Sequence, residues 1–204
     1  MSEIDLWAIE DEYPDIQLIC GVDEAGRGPL AGPVCAAAVI LPRHLEISGL
    51  NDSKKLSDKR RRELFPLIQA QALAYGIAFA SQEEIDELNI LQATFLAMGR
   101  ALEQLEPKAQ FALIDGNRQT DFGIPCRTVV QGDSLSANIA AASVLAKVTR
   151  DDYMIKMAET YPGYGFEIHK GYGTKAHYAA LRELGPCPIH RKTFLKKFYG
   201  ESAG

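Results

Sequence analysis

The sequence predicts an α/β protein: a mixed β-sheet flanked by helices, with a C-terminal helical extension. Two observations carry that prediction. Short apolar runs of strand length alternate along the chain with longer segments of helical periodicity. The 204 residues are 47% hydrophobic and 24% charged, which is enough apolar side chain for one ordinary domain with a buried core. Neither an internal repeat nor a low-complexity linker divides the chain.

The elements follow in order. Residues 1–16 read as an acidic N-terminal arm, mobile and outside the main body. The core runs over 17–160, and 161–204 is a helical extension of the same domain. Gln17 to Val22 is a first strand that ends at Asp23–Glu24. A glycine and proline stretch, Gly26 to Pro33, leads to a buried second strand, Val34 to Leu41. Ser57 caps a helix reaching about Ala74, with Leu64, Phe65, Leu67 and Ile68 on one side. Tyr75 to Ala80 is a third strand. Ser81 and Glu84 have capping-box spacing and open an acidic helix. A longer helix covers about Leu91 to Leu105 and stops before Pro107. Gln110 to Ile114 and Arg127 to Val130 are further strands, ending at Asp115-Gly116 and near Gly132-Asp133. A long helix rich in small residues runs from Ser136 to Thr160. Thr174 caps a helix that ends at Gly185, and 190–199 holds a short basic helix.

Composition excludes several classes. The longest apolar run, Val34 to Leu41, is too short to span a bilayer. The first twenty residues contain no Lys or Arg, so no secretory leader is expected. Cys20, Cys35, Cys126 and Cys187 lie far apart without a CxxC pair, which argues against a zinc knuckle or a disulfide framework. The expectation is a reduced, cytoplasmic, monomeric protein with no membrane partner. The net charge of -5 disfavours a nucleic-acid partner at first sight. Its distribution changes that reading, because six of the 27 acids fall within the first twenty residues. Two basic clusters stand apart from them: Lys54, Lys55 and Lys59 to Arg62, then His190, Arg191, Lys192, Lys196 and Lys197. On charge alone these are equally solvated helix faces or phosphate contacts.

Four carboxylates share a context. Asp23, Glu24, Asp115 and Asp133 each sit at or beside the end of a strand. An unpaired buried carboxylate is costly, and several together raise one another's pKa. A divalent cation removes that conflict, and oxygen-only ligation suits Mg²⁺ or Mn²⁺ rather than zinc. Taken singly, each is ordinary turn chemistry, since Asp beside Gly is common there. The set of four at strand termini favours metal binding.

The loop Gly26-Arg-Gly-Pro-Leu-Ala-Gly-Pro33 matches neither the P-loop nor the dinucleotide fingerprint. Its glycines allow the backbone to approach a sugar or a phosphate closely. Gly132-Asp-Ser-Leu-Ser136 matches a short serine-esterase signature. Here the string lies past mid-chain and no DxxH supplies the base, so that reading is set aside. The four histidines have no metal spacing and read as structural or surface residues.

The motifs together are specific. Gly21-Val-Asp-Glu-Ala-Gly-Arg-Gly-Pro-Leu-Ala-Gly-Pro33 resembles the first motif of the bacterial ribonuclease HII family, and Asn51-Asp-Ser-Lys-Lys-Leu-Ser57 its second. Glu84 to Ile90, Ile114-Asp-Gly-Asn117, Gly132-Asp-Ser134, Ile139 to Asp151 and His169-Lys-Gly-Tyr-Gly-Thr174 follow in the family's order. The resemblance spans about 17–195.

The resemblance implies a ribonuclease H-like fold. It also implies endonucleolytic cleavage of RNA paired to DNA and nicking 5′ to single ribonucleotides in duplex DNA, leaving 3′-hydroxyl and 5′-phosphate ends. By position it assigns Asp23, Glu24, Asp115 and Asp133 to a two-metal hydrolysis with Mn²⁺ or Mg²⁺. Asp23 would be the bridging ligand and Asp133 the least direct. Gly26, Arg27 and Gly28 correspond to the motif that reads the 2′-hydroxyl, the group that separates RNA from DNA. Tyr172 corresponds to a tyrosine that stacks on the neighbouring deoxyribose. Ser53, Lys54 and Lys55 look like phosphate contacts, and the basic C-terminal segment like a second set. Lys147 and Arg150 are open between phosphate and carboxylate partners. A catalytically inactive nucleic-acid-binding protein on this fold is the rival reading.

Overall fold

The computed structural model describes residues 5–50, 56–118, 120–196 and 198–200. Ser53, Lys54 and Lys55 lie outside the described residues. The frame is a five-stranded sheet built from β1 (Ile19–Ala25), β2 (Val34–Ile40), β3 (Ala74–Ala80), β4 (Phe111–Asp115) and β5 (Cys126–Val129). Its order is β3-β2-β1-β4-β5. The β1–β2 and β2–β3 pairs are antiparallel, and β1–β4 and β4–β5 are parallel, so the sheet is mixed as the sequence predicts.

One helix covers each face of the central strands. On one side, α3 (Ile90–Glu103) packs Ala93, Ala97 and Ala101 against the even residues of β2, Val34 to Ile40. On the other, α4 (Ala137–Thr160) lays Ala140, Ala141 and Val144 against Cys35, Ala37 and Val39. The alternation follows from the two-residue period of a strand. Small residues let both helices approach closely. A Cβ on Gly21 would stand 2.1 Å from the Ile139 nitrogen, and one on Gly76 would stand 2.1 Å from the Ala101 carbonyl. The small-residue run of α4 is therefore a packing device.

The caps fall where the side chains predict them. The Ser57 hydroxyl accepts from the Arg60 N–H to open α1 (Asp58–Gln71). Ser81 and Glu84 form a reciprocal capping box on α2 (Gln82–Leu88). Thr174 caps α6 (Lys175–Leu184). Two shorter helices, α5 (Phe166–His169) and α7 (Lys192–Leu195), complete the C-terminal part. The basic helix expected over 190–199 is thus only one turn.

Two expectations are corrected. The first strand does not end at Val22. It carries Asp23 and Glu24 inside its ladder as far as the Ala25–Cys35 pair, because the antiparallel partner β2 supplies hydrogen bonds beyond the end of the apolar run. Residues 5–16 are not a loose arm either. Trp7 and Glu10 are buried. Glu10 Oε1 accepts from Ser136 Oγ at 2.6 Å and from Asn138 Nδ2 at 3.0 Å. Arg43 donates to the carbonyls of Glu10, Tyr13 and Ile16, and the Tyr13 ring rests on Phe111. The acidic composition of this stretch suggests solvation, yet its buried acid meets the N-terminal end of α4.

Candidate active site

The parallel pairing of β1, β4 and β5 gathers their carboxyl ends at one edge of the sheet, the usual position for a ligand site in such sheets. The last β1–β4 pair is Val22–Ile114, so Asp23 and Asp115 come next in register. Asp23 faces α4, two residues beyond Gly21. Asp23, Glu24 and Asp115 line one open cleft together with Gly26, Arg27, Gly28, Arg61, Ser143, Lys147 and Tyr172. The topology thus brings together three of the four expected carboxylates, the glycine loop and Tyr172. Asp133 lies beside them, buried in the single turn Gly132–Ser134, outside the lining of that cleft. The Gly132 N–H donates to Asp115 Oδ1 at 2.7 Å and ties the two segments together.

Asp23 is 4% exposed. Burial first, then the Glu24 and Asp115 charges, hold its carboxyl well above the usual carboxylate range, while a hydrogen bond with Ser143 acts in the other direction. This is the environment that a cation relieves. Among the described residues, no three Asp, Glu, His or Cys side chains already converge as a ready-made cation cage. Their partners account for this. Glu24 pairs with Arg27 at 3.4 Å, Asp115 accepts from Gly132, and Asp23 Oδ1 accepts from the Glu24 N–H at 2.7 Å. The donor set is all oxygen and fits a hard divalent cation.

The rim is basic and aromatic. Tyr172 is 42% exposed. Lys147 Nζ and Arg150 Cζ each lie 5.9 Å from its ring centroid. A Cβ on Gly28 would stand 3.7 Å from Tyr172 Cε1, so the loop and the ring face each other across a narrow slot. Lys147 also donates to Asp151 at 2.8 Å.

Several basic residues take places that the sequence does not reveal. Arg150 is fully buried and, among the described residues, pairs with no carboxylate. It donates to the carbonyls of Pro33, Ala31 and Lys170. Arg191, expected among the C-terminal phosphate contacts, is also fully buried. It donates to the carbonyls of Gly32, Arg27 and Gly26 at 2.9, 2.8 and 2.6 Å. The loop itself held the missed signal. Its prolines lack N–H groups and its glycines turn, so it forms no ladder of its own and its carbonyls need outside donors.

Three of the histidines gather behind this loop. Tyr172 O accepts from His177 Nδ1 at 3.0 Å, and His177 Nε2 lies 3.0 Å from His190 Nε2. His190 Nδ1 accepts from the Cys187 N–H at 2.9 Å. These bonds fix one neutral tautomer per ring: His177 protonated at Nδ1 and His190 at Nε2. These three histidines are buried. Ser134 Oγ donates to the Gln131 carbonyl, so the esterase-like string is part of a turn.

An acidic strand edge under a basic, glycine-walled slot, on a mixed sheet flanked by helices, defines a metal-dependent nuclease of the ribonuclease H type. The ribonuclease HII family model matches residues 20–197. Ribonuclease HII of Syntrophotalea carbinolica is 58% identical over 176 residues, covering 86% of this chain and 84% of that protein. Ribonuclease HII of Dechloromonas aromatica is 58% identical over 179 residues, 88% of this chain and 91% of its own. The crystal structure of ribonuclease H2 from Pyrococcus horikoshii superposes with a TM-score of 0.72 at 27% identity, covering 90% of this chain and 96% of that one. The chain belongs to the ribonuclease HII family. It is accordingly a ribonuclease H endonuclease, a phosphodiester hydrolase of a divalent-metal-dependent family. Among the described residues, no helix is long and apolar enough to cross a membrane.

Proposed function

We propose that this protein cleaves the RNA strand of RNA–DNA hybrids and nicks duplex DNA 5′ to single ribonucleotides, leaving 3′-hydroxyl and 5′-phosphate ends. The observation that carries this is the shared cleft, where Asp23, Glu24 and Asp115 meet Gly26, Arg27, Gly28 and Tyr172. Asp23, Glu24 and Asp115 would hold Mg²⁺ or Mn²⁺, with Asp133 supporting from behind Asp115. When bound, such cations supply charge neutralisation and activation of water for phosphodiester hydrolysis. The chain's own residues position the substrate. Arg27, Arg61 and Lys147 offer charge for backbone phosphates, and Ser53, Lys54 and Lys55 are proposed to extend that contact. The Gly26–Gly28 backbone reads the 2′-hydroxyl, the one group that distinguishes a ribonucleotide in DNA. Tyr172 presents an apolar face to the neighbouring sugar, and the protein acts as a monomer on the duplex.

The test is a DNA duplex containing one ribonucleotide, incubated with the protein and Mg²⁺ or Mn²⁺, with EDTA as control. Nicking 5′ to the ribonucleotide only when metal is present is the expected result. Binding without nicking would instead favour a protein that recognises the duplex and does no chemistry.

A further inference from the structure

The C-terminal segment and the glycine loop are joined by more than packing. Gly32 N–H donates to the Ile189 carbonyl at 2.8 Å, and Arg191 N–H donates to the Leu30 carbonyl at 2.9 Å. Leu30 N–H in turn donates to the Gly171 carbonyl at 2.8 Å, next to Tyr172. Two guanidiniums, from α4 and from the C-terminal segment, fill the space between these strands of backbone. Arg150 and Arg191 together donate to six carbonyls, five of them in the loop 26–33. Neither makes an ion pair among the described residues. The fit is tight: a Cβ on Gly26 would stand 1.8 Å from Arg150 Nε.

The direction of these bonds has a consequence for recognition. In a trans peptide the C=O and the N–H of one unit point opposite ways. Arg191 draws the carbonyls of Gly26 and Arg27 inward, which turns the N–H groups of Arg27 and Gly28 outward. Both residues are exposed and line the cleft. Among the described residues, neither N–H donates to a protein acceptor. Arg150 bonds Lys170 as well as Ala31 and Pro33, so it fixes the loop relative to the segment that carries Tyr172. A planar guanidinium can serve three carbonyls in different directions at once, and an ammonium on a flexible stem cannot hold that geometry.

We propose that Arg150 and Arg191 are positioning residues for ribose selectivity: their buried guanidiniums hold the 26–33 carbonyls so that the Arg27 and Gly28 amides face the 2′-hydroxyl across from Tyr172. This rests on the functional reading above. Neither arginine touches substrate; each acts through the loop.

The experiment compares wild type with Arg191→Lys and Arg150→Lys. It measures binding in EDTA to two duplexes of one sequence, one with a single ribonucleotide and one all DNA. Each variant is expected to bind the all-DNA duplex within about twofold of wild type while its preference for the ribonucleotide falls about tenfold, the loss of one well-placed hydrogen bond. A purely structural role would lower thermal stability and leave that ratio unmoved. Folded variants with the wild-type preference overturn the proposal while leaving the functional reading intact. Wild type without any preference overturns the functional reading, and the positioning role with it. Should neither variant fold, amide hydrogen exchange on wild type decides. The Arg27 and Gly28 amides are expected to slow with the ribonucleotide duplex and not with the all-DNA duplex. Equal behaviour with both duplexes overturns the proposal.

Discussion

The two walls of the cleft handle buried charge in opposite ways. The acidic wall is made by strand ends of a regular sheet, and Asp23 there is buried beside two further carboxylates. The opposite wall is irregular backbone, held by two buried guanidiniums that are satisfied by carbonyl oxygens. An isolated buried charge costs several kcal/mol. On the acidic wall a cation bound as proposed would offset that cost. On the loop wall the protein offsets it internally, with three hydrogen bonds per arginine. One wall is poised for a ligand and the other is locked, which suits chemistry on one side and recognition on the other.

That contrast can be broken most directly at Asp23. Asp23→Asn is expected to reduce metal-dependent cleavage on the order of 10³-fold or more, as read by single-turnover nicking. The same change should raise the thermal midpoint of the metal-free protein, because it removes a buried charge crowded by Glu24 and Asp115. The loop wall predicts the reverse response. Arg191→Met strands three carbonyls and is expected to cost about 3–5 kcal/mol in denaturant unfolding, since it breaks a buried charged network.

A smaller effect concerns the histidines behind the loop. Burial, and then the neighbouring His177, push the His190 imidazole down to about 4 from its ordinary 6.5. The unfolded chain therefore takes up a proton first as pH falls. The contribution of neutral His190 is full above pH 6.5 and is lost between 6.5 and about 4, by at most about 3 kcal/mol. Unfolding midpoints across that range should show the fall in wild type and a flatter profile in His190→Gln. The smallest effect is at the N-terminus. Deleting residues 1–15 is expected to lower stability by about 2 kcal/mol through loss of the Trp7 and Glu10 contacts, with cleavage retained by the folded fraction.

Much of this was legible in the sequence. The interleaved strands, the Ser57 and Thr174 caps and the Ser81–Glu84 box are local signals, and local physics decided them. The three carboxylates that share the cleft, Asp23, Glu24 and Asp115, were legible because strand-end carboxylates are conspicuous against apolar runs. What stayed hidden depends on distant partners. Glu10 reads as one more arm acid until Ser136 and Asn138 meet it across the fold. Arg150 and Arg191 look like any surface cation, because a side chain's burial is set by what packs over it. Within the basic C-terminal segment, expected to grip phosphates, Arg191 turns inward and supports the loop.

The proposed division of labour gives the chemistry to the acidic wall and the recognition to the clamped loop. Its most direct test is the binding preference of Asp23→Asn, measured in EDTA with the ribonucleotide-containing and all-DNA duplexes. Cleavage is expected to be gone, with the preference for the ribonucleotide duplex equal to that of wild type. Loss of that preference in a folded Asp23→Asn protein would contradict it, because recognition would then depend on the acidic wall.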